Sequence, residues 1–171
     1  VLGHSTFMGM RLKHPFIRTR NINLAGRLGF DTRSVNSKNN IEARREDNIK
    51  AARLGGRFEI LDTLLGTSAT AFNVLDAEIS RGLDIWGATN DDDVNVSRPA
   101  AGPNFYKLEM EFQRLQRVSS EVNLLLGATG QMSNGPLYSS EEFGVGGQSY
   151  GRGYDPSEII GDDGIAGKLE L

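Results

Sequence analysis

The chain has 171 residues, 38% of them hydrophobic, and a formal net charge of −3 at pH 7, which is ordinary for a soluble protein. No run of about eighteen apolar residues occurs, which excludes membrane-spanning helices. The mean hydropathy of −0.36 still allows a membrane β-barrel, whose residues alternate between lipid and water. The absence of cysteine excludes disulfides, thiol catalysis and cysteine-based zinc sites.

From the start of the chain, apolar and polar residues alternate with a period of two, which is typical of strands. Met8, Met10 and Leu12 alternate with small or charged neighbours. The same alternation fills four later segments, and the polar turn at 118–120 between the last two predicts a hairpin. These segments are NINLAGRLGFD (21–31), ARLGGRFEI (52–60), FYKLEMEFQ (105–113) and EVNLLLGAT (121–129).

Another strand is predicted between positions 72 and 83, although its apolar set changes parity along the chain. We interpret this change as a bulge or as an error in the assigned register. With GIAGKLEL at 164–171, the total is about seven strands, each close to the ten residues of a tilted membrane strand. The apolar set passes from Phe72 and Val74 to Leu75, Ala77 and Ile79.

The predicted connections alternate between short and long. Short turns on one rim and long loops on the other are the pattern of an outer-membrane barrel. A soluble β-sandwich or a lipocalin-like barrel also alternates, and periodicity alone does not separate these folds. The short connections are 15–21, 64–68 and 117–120, and the long ones are 34–48, 87–104 and 133–164.

The glycine-rich stretch GGQSYGRGYD contains a G-x-S-x-G run around Ser149. A nucleophile elbow requires a strand before the serine, a helix after it and a histidine later in the chain. The flanking glycines and Pro156 disfavour that helix, and both histidines lie upstream. The sequence therefore does not predict a serine hydrolase.

Two other features have both an ordinary and a functional interpretation. The acidic run at 91–93 lacks the regular ligand spacing of a calcium site, so we interpret it as part of a solvated external loop. Trp86 and Tyr106 are candidates for an interfacial aromatic belt, with ordinary packing as the alternative.

The segment LYSSEEFGVGGQSYGRGYDPSEIIGDDGIAGKLEL (137–171) resembles the signature of two-partner secretion transporters, the TpsB class that exports haemolysins and filamentous adhesins. The class belongs to a superfamily that also contains BamA-type assembly factors. The resemblance extends upstream over nearly the whole chain. It passes through LKHPFIRTRNINLAGRLGFD (12–31), DNIKAARLGGRFEILD (47–62), AEISRGLDIWGA (77–88) and NFYKLEMEFQRLQRV (104–118).

The resemblance implies an all-β fold that is part of a transmembrane antiparallel β-barrel. The family's barrel has roughly sixteen strands and is preceded by periplasmic POTRA domains. Residues 1–171 are expected to hold its central to late part, with the POTRA domains and the barrel ends missing. No secretion signal opens the sequence, so either a signal was removed or this is part of a longer chain. The strand-like alternation of GIAGKLEL at the end favours the second alternative.

In the family, the long loop at 133–164 folds back into the barrel lumen. Its arginine, here Arg152, meets an acidic residue of the inner wall, and the resemblance places that partner beyond the end of this sequence. Gly151 stands where the family usually has valine. The implied loop motif comprises Phe143, Gly146, Gly147, Arg152, Gly153, Tyr154, Gly161 and Asp162, and the residues expected to face the lumen are Arg27, Arg53, Arg57, Glu59, Lys107, Glu109 and Glu111.

The function implied is the non-enzymatic export of an unfolded partner exoprotein across the bacterial outer membrane. No catalytic residue, cofactor or metal is expected. The expected partners are the exoprotein and outer-membrane lipid, without nucleic acid, and the full-length barrel is expected to be monomeric. A barrel assembly factor of the same superfamily and a passive porin are the alternatives.

Overall fold

The structure, a computed structural model, describes residues 2–38, 44–64, 66 and 69–171. Among these residues, none forms a helix of the length and apolarity needed to cross a membrane. The strands are β1 (Leu2–Arg18), β2 (Ile22–Lys38), β3 (Arg44–Asp62), β4 (Ala71–Gly82), β5 (Tyr106–Arg117), β6 (Asn123–Ser133), β7 (Phe143–Val145), β8 (Ile159–Gly161) and β9 (Gly164–Glu170).

Seven strands form one antiparallel sheet in the order β1-β2-β3-β4-β5-β6-β9, and β7 pairs with β8 in a separate two-stranded sheet. Each strand of the large sheet lies beside its neighbour in sequence, apart from the insertion of the β7–β8 hairpin before β9. The predicted all-β fold with seven main strands is confirmed. The sheet is open at β1 and β9, as a section of a barrel wall is.

Two connections, 15–21 and 34–48, were predicted too long, because the strands beside them extend further. β1 continues through Pro15 to Arg18, with a register shift between Pro15 and Ile17, and such a bulge tolerates the missing N–H of proline. The connection predicted at 34–48 is mostly strand, because Lys38 still pairs with Arg44. These strand ends are polar, so an apolar alternation could not reveal them. Residues 39–43 and positions 65, 67 and 68 of the predicted 64–68 turn lie outside the described residues.

The parity change predicted in β4 is not a bulge. The strand pairs with β3 and β5 without a register shift from Ala71 to its last paired residue. Leu75, Ala77 and Ile79 therefore share one face, while Phe72 and Val74 point to the other. The error was one of register.

The large sheet has one apolar face and one charged face. In the apolar face, a row of directly paired large residues crosses six strands, and Leu54 and Ile79 in its middle are 61% and 52% exposed. An exposed apolar surface of this breadth is typical of a face that contacts a membrane or another protein. The row consists of Leu12, Leu28, Leu54, Ile79, Leu108 and Met132.

The opposite face, called the polar face below, is partly covered by the two long connections, 83–105 and 134–163. The principal buried apolar cluster lies between these connections and the polar face of β3, where Ile49 and Ala51 contribute. The core of the described chain is therefore small and sits under the loops. The cluster is completed by Ala101, Phe105, Leu137 and Tyr138.

Candidate functional site

The connection 134–163 turns back over the polar face and carries the β7–β8 hairpin. Its two ends lie near the long-connection edge of the sheet and are called the loop root, residues 137–143 and 159–162. Residues 146–158, which follow β7 and precede β8, are called the loop tip. Most of the root is buried or half-buried, whereas residues 152–158 of the tip are exposed.

Glu141 is the centre of the root's contact with the sheet. The residue is 4% exposed, and its carboxylate accepts a hydrogen bond from Arg53 Nη2 at 3.0 Å and another from Lys107 Nζ at 2.8 Å. Arg33 Nη1 lies 3.8 Å from the same carboxylate. Gln131 donates to the Glu141 backbone oxygen at 3.1 Å. Four strands, β2, β3, β5 and β6, thus hold one glutamate.

The charge balance of Glu141 favours its ionised form. Burial opposes the carboxylate, but the charges of Lys107 and Arg53 and their hydrogen bonds outweigh it, so the pKa of Glu141 lies below its ordinary value of 4.5. Arg53 is also fixed from its other side, since Asp31 accepts from Nε at 2.7 Å and Ser80 Oγ accepts from Nη1 at 2.8 Å. The cation therefore already points at the root.

A second ion pair ties the two ends of the root together. Arg98, from the connection 83–105, pairs with Asp162 through both carboxylate oxygens and lies 3.2 Å from Glu142. Asp162 also accepts from the backbone N–H of Leu137 at 2.9 Å. The hydrogen bond from Arg98, partly opposed by burial, lowers the pKa of Asp162 below 3.8. This pair closes the base of the loop.

Tyr138 anchors the root by packing. The residue is fully buried, its ring meets Phe105 edge-on at 6.3 Å, and its hydroxyl donates to the backbone oxygen of Thr89. Burial, followed by nearby aspartates that include Asp47, raises the pKa of this hydroxyl. The hydroxyl therefore stays protonated and keeps donating at neutral pH.

The tip is a tightly turned glycine-rich segment. Gly146 has φ +132°, and an added Cβ there would lie 2.0 Å from the Asp155 oxygen, so a side chain is excluded. Gly151 has φ +131°, which means that the valine usual at this position in the family could not adopt this backbone without strain. The tip backbone seen here depends on glycine.

Two side chains of the tip make polar contacts with the described part of the polar face. The Tyr150 hydroxyl donates to Glu111 Oε1 at 3.3 Å, and Lys168 Nζ lies 4.9 Å from the centre of the Tyr150 ring. Arg152 Nη2 lies 2.7 Å from Glu170 Oε2, with the two side chains 70% and 30% exposed. Arg152 thus contacts a carboxylate of β9 within this chain, whereas its partner was expected beyond the end of the sequence.

The other predicted loop residues divide between root and tip. In the root, Phe143 pairs with Gly161 between β7 and β8. An added Cβ at Gly164 would lie 2.3 Å from the Phe143 ring, so glycine there makes room for the aromatic side chain. Besides Gly146 and Arg152, three members of the motif belong to the tip: Gly147, whose N–H donates to the Tyr154 oxygen at 3.1 Å, the 62% exposed Tyr154 itself, and Gly153.

The seven residues expected to face a lumen all lie on the polar face, as the strand register places them. Arg27 bridges Glu78 at 2.8 Å and Asp76 at 2.8 Å, and so neutralises carboxylates of β4. Three more bonds or ion pairs join the rest of the set: Arg57 to Glu59 at 2.7 Å, Lys107 to Glu109 at 3.3 Å, and Glu111 to Tyr150.

The remaining candidates lie away from this loop. Trp86 is 78% exposed and meets the ring of Phe30 edge-on at 5.7 Å. Arg81 lies 5.3 Å from the centre of the Tyr106 ring. Asp93 accepts from the Asn90 N–H at 2.8 Å, which makes a turn. The described residues include no group of three or more side chains suited to hold a metal.

Sequence reasoning missed the residues that hold the root. Glu141 lies in the quoted segment 137–171 and Asp31 in the quoted segment 21–31, but neither was selected as a site residue. Arg98 and Tyr138 carry no local pattern that marks them. The one signal available in the sequence was the acidic pair directly before Phe143, in a loop of a chain whose strands carry several basic residues.

A family model described as "Haemolysin secretion/activation protein ShlB/FhaC/HecB" matches residues 2–171. A structure of CdiB from Escherichia coli matches with a TM-score of 0.78 and 19% sequence identity, which shows a shared fold. The match covers 98% of this chain and 30% of that one. The search of curated proteins returned no match.

Proposed function

We propose, because the chain belongs to the haemolysin secretion/activation protein family, that it forms part of an outer-membrane barrel through which an unfolded partner exoprotein is exported. The polar face would line the lumen, and the apolar face would contact outer-membrane lipid. The exported protein would be of the haemolysin or adhesin type. The full-length barrel would act as a monomer.

The observation that carries this proposal is the loop docked on a charged sheet face whose opposite face is apolar. The row around Leu54 is exposed on one side of the sheet, while Arg53 and Lys107 bind the loop root on the other. Charged side chains on an inner wall are tolerated where water fills a lumen. A loop that occupies this space is placed to obstruct it until a substrate arrives.

The mechanism proposed needs no chemical step. An extended exoprotein enters along the polar face and displaces the loop tip, whose contacts through Tyr150 and Arg152 are few and partly exposed. The paired charges around Arg27 give the passing chain a hydrated surface without a strong binding site. Folding of the exoprotein outside the cell would supply the energy, without a nucleotide.

The test is secretion of the exoprotein by the full-length protein carrying Arg152→Ala, compared with wild type at equal outer-membrane levels. In this proposal the Arg152–Glu170 pair holds the tip in the orientation from which the exoprotein displaces it. An exposed ion pair is worth at most about 1 kcal/mol, so we expect release to fall to about a fifth without it. Glu170→Gln should cause a similar loss. Arg20→Ala, which changes an exposed arginine in the β1–β2 turn, is the matched control and should leave release unchanged.

Three other outcomes would change the interpretation. Undiminished release from Arg152→Ala would make that residue an ordinary solvated arginine. No release from wild type, together with failure of other barrels to assemble when the gene is deleted, would favour an assembly factor. Ion conductance that is the same in wild type and Arg152→Ala, without any release, would favour a passive porin.

A further inference from the structure

We propose that Glu141 is a positioning residue that keeps the loop root fixed on the polar face while only the tip moves during transport. This inference rests on the proposed function, because it assigns different roles to two parts of the loop of that transporter. The root would serve as a permanent part of the inner wall. The tip alone, residues 146–158, would open and close.

The first support is the way in which Glu141 joins strands that are not neighbours. Arg53 belongs to β3 and Lys107 to β5, and both donate to the same carboxylate. The side chains of Glu141 and Lys107 are 3% and 5% exposed. Lifting the root would leave these buried charges without their partner, and such a separation is strongly unfavourable.

The second support is that moving the root would break several contacts besides those of Glu141. Leu137 and Tyr138 are both fully buried in the small apolar cluster, and the hydroxyl of Tyr138 is bonded to Thr89. The other end of the root is held by Arg98 through Asp162. Apolar burial, one buried hydroxyl and two ion-pair systems would have to be lost together.

In the part of the sheet that the structure describes, the tip has no comparable anchorage. Its contacts with the sheet are the exposed Arg152–Glu170 pair and the Tyr150 ring beside Glu111 and Lys168. The remaining hydrogen bonds of the tip are internal, such as Gly147 N–H to the Tyr154 oxygen. The tip can therefore leave the wall as a unit without breaking its own turn.

The boundary between the two parts lies at the glycines that follow β7. Gly146 and Gly147 have φ values of +132° and +79°, a region that glycine enters and leaves freely. Val145, directly before them, is still paired with Ile159 in the hairpin. A hinge at these glycines lets the tip rotate while the β7–β8 pairing and the root stay in place.

Ser140 offers a reporter for the root that hardly disturbs it. Its hydroxyl oxygen is buried and has no hydrogen-bond partner in the described part of the chain. The 171 residues contain no cysteine, and any cysteine elsewhere in the full-length protein is replaced by serine for the assay. Ser140→Cys therefore places one nearly isosteric thiol beside Glu141. Ser149→Cys, in the exposed tip, carries an environment-sensitive dye as the second reporter.

The experiment uses the full-length protein in outer membranes and compares two states. One is the resting protein, and the other holds an exoprotein that is stalled in transit by a folded domain fused to the end of the exoprotein. We expect the Ser140→Cys thiol to stay protected from a maleimide in both states, while the dye at Ser149→Cys changes its emission when the exoprotein is stalled. Labelling of Ser140→Cys in the stalled state at the rate of an exposed thiol would overturn the inference.

Variants of Glu141 test its role in the same background. We expect Glu141→Gln to raise the labelling rate of Ser140→Cys at least tenfold and to reduce release, and Glu141→Asp to restore protection in part. Glu121→Gln, in an exposed turn, is the control and should change neither readout. Unchanged protection in Glu141→Gln would refute the positioning role.

The two levels of proposal can fail separately. If wild type releases no exoprotein, the transport function fails, but the labelling of resting Ser140→Cys still reports whether Glu141 holds the root. If release is normal and the root opens in transit, the transport function stands and the fixed root does not. Combining Glu141→Gln with Lys107→Gln should give less than the sum of their separate effects, because they share one contact.

Discussion

Removing the hydroxyl of Tyr138 is expected to loosen the loop root without disturbing the strands. Tyr138→Phe keeps the ring against Phe105 and deletes only the bond to the Thr89 oxygen. Thr89 is itself 6% exposed, so its carbonyl group would be left buried and unpaired. The apolar packing around the ring should stay as it is, which confines the perturbation to one hydrogen bond.

The size of the effect follows from that unpaired carbonyl group. A buried acceptor that loses its partner costs about 1–3 kcal/mol. A central value of about 2 kcal/mol corresponds to a rise of about thirtyfold in the population of the opened root. Global stability should fall by no more than the same amount, because the strand ladder does not include Tyr138.

The assay is the labelling rate of Ser140→Cys in native conditions, where brief opening of the root limits access of the reagent. Tyr106→Phe is the matched control, because Tyr106 is 45% exposed and its hydroxyl makes no hydrogen bond within the described residues. A labelling rate in Tyr138→Phe that equals that of Tyr106→Phe would refute the reasoning, and would mean that apolar packing alone fixes the root.

Two further predictions concern charge and the membrane. Because the pKa values of Glu141 and Asp162 are lowered, their contribution to docking is complete above the ordinary values of 4.5 and 3.8 and is lost as pH falls through the lowered values. Pepsin should therefore cut the loop progressively faster as pH falls through that range, and the cleavage rate of Asp162→Asn should depend less on pH. A cleavage rate in wild type that does not change with pH would contradict this prediction. Leu54→Lys, on the apolar face, should lower the free energy of unfolding by about 2–4 kcal/mol, measured by urea unfolding from lipid vesicles. Leu61→Lys, on the polar face, should lower it little. Equal losses in the two variants would count against a lipid-facing row.

Most of the sheet could be predicted because a strand with two different faces leaves a period of two in its sequence. The segments around Arg53 and Lys107 show it plainly, since each charge is flanked by apolar residues. The prediction failed where that contrast is absent. The polar ends of β2 and β3 pair from Lys38 with Arg44 onward, and nothing in their composition distinguishes them from a loop.

The candidate site could be predicted only as a motif. The glycines and Arg152 stand out in the sequence, but the structure gives Arg152 an exposed contact with Glu170. The buried anchor is Glu141, which differs from its neighbour Glu142 by no sequence pattern. Which of two adjacent carboxylates meets Lys107 depends on the path of the loop.

The sequence by itself determined most of the strands and the two faces of the sheet, because these depend on neighbours one or two residues apart. The tertiary structure decided which charges meet. Glu141 lies 88 residues from Arg53 and 34 from Lys107 along the chain, and it reaches both because the register of β3, β4 and β5 brings their cations to one level of the polar face. Pairings over such separations are fixed by strand register and loop path, which no local pattern encodes.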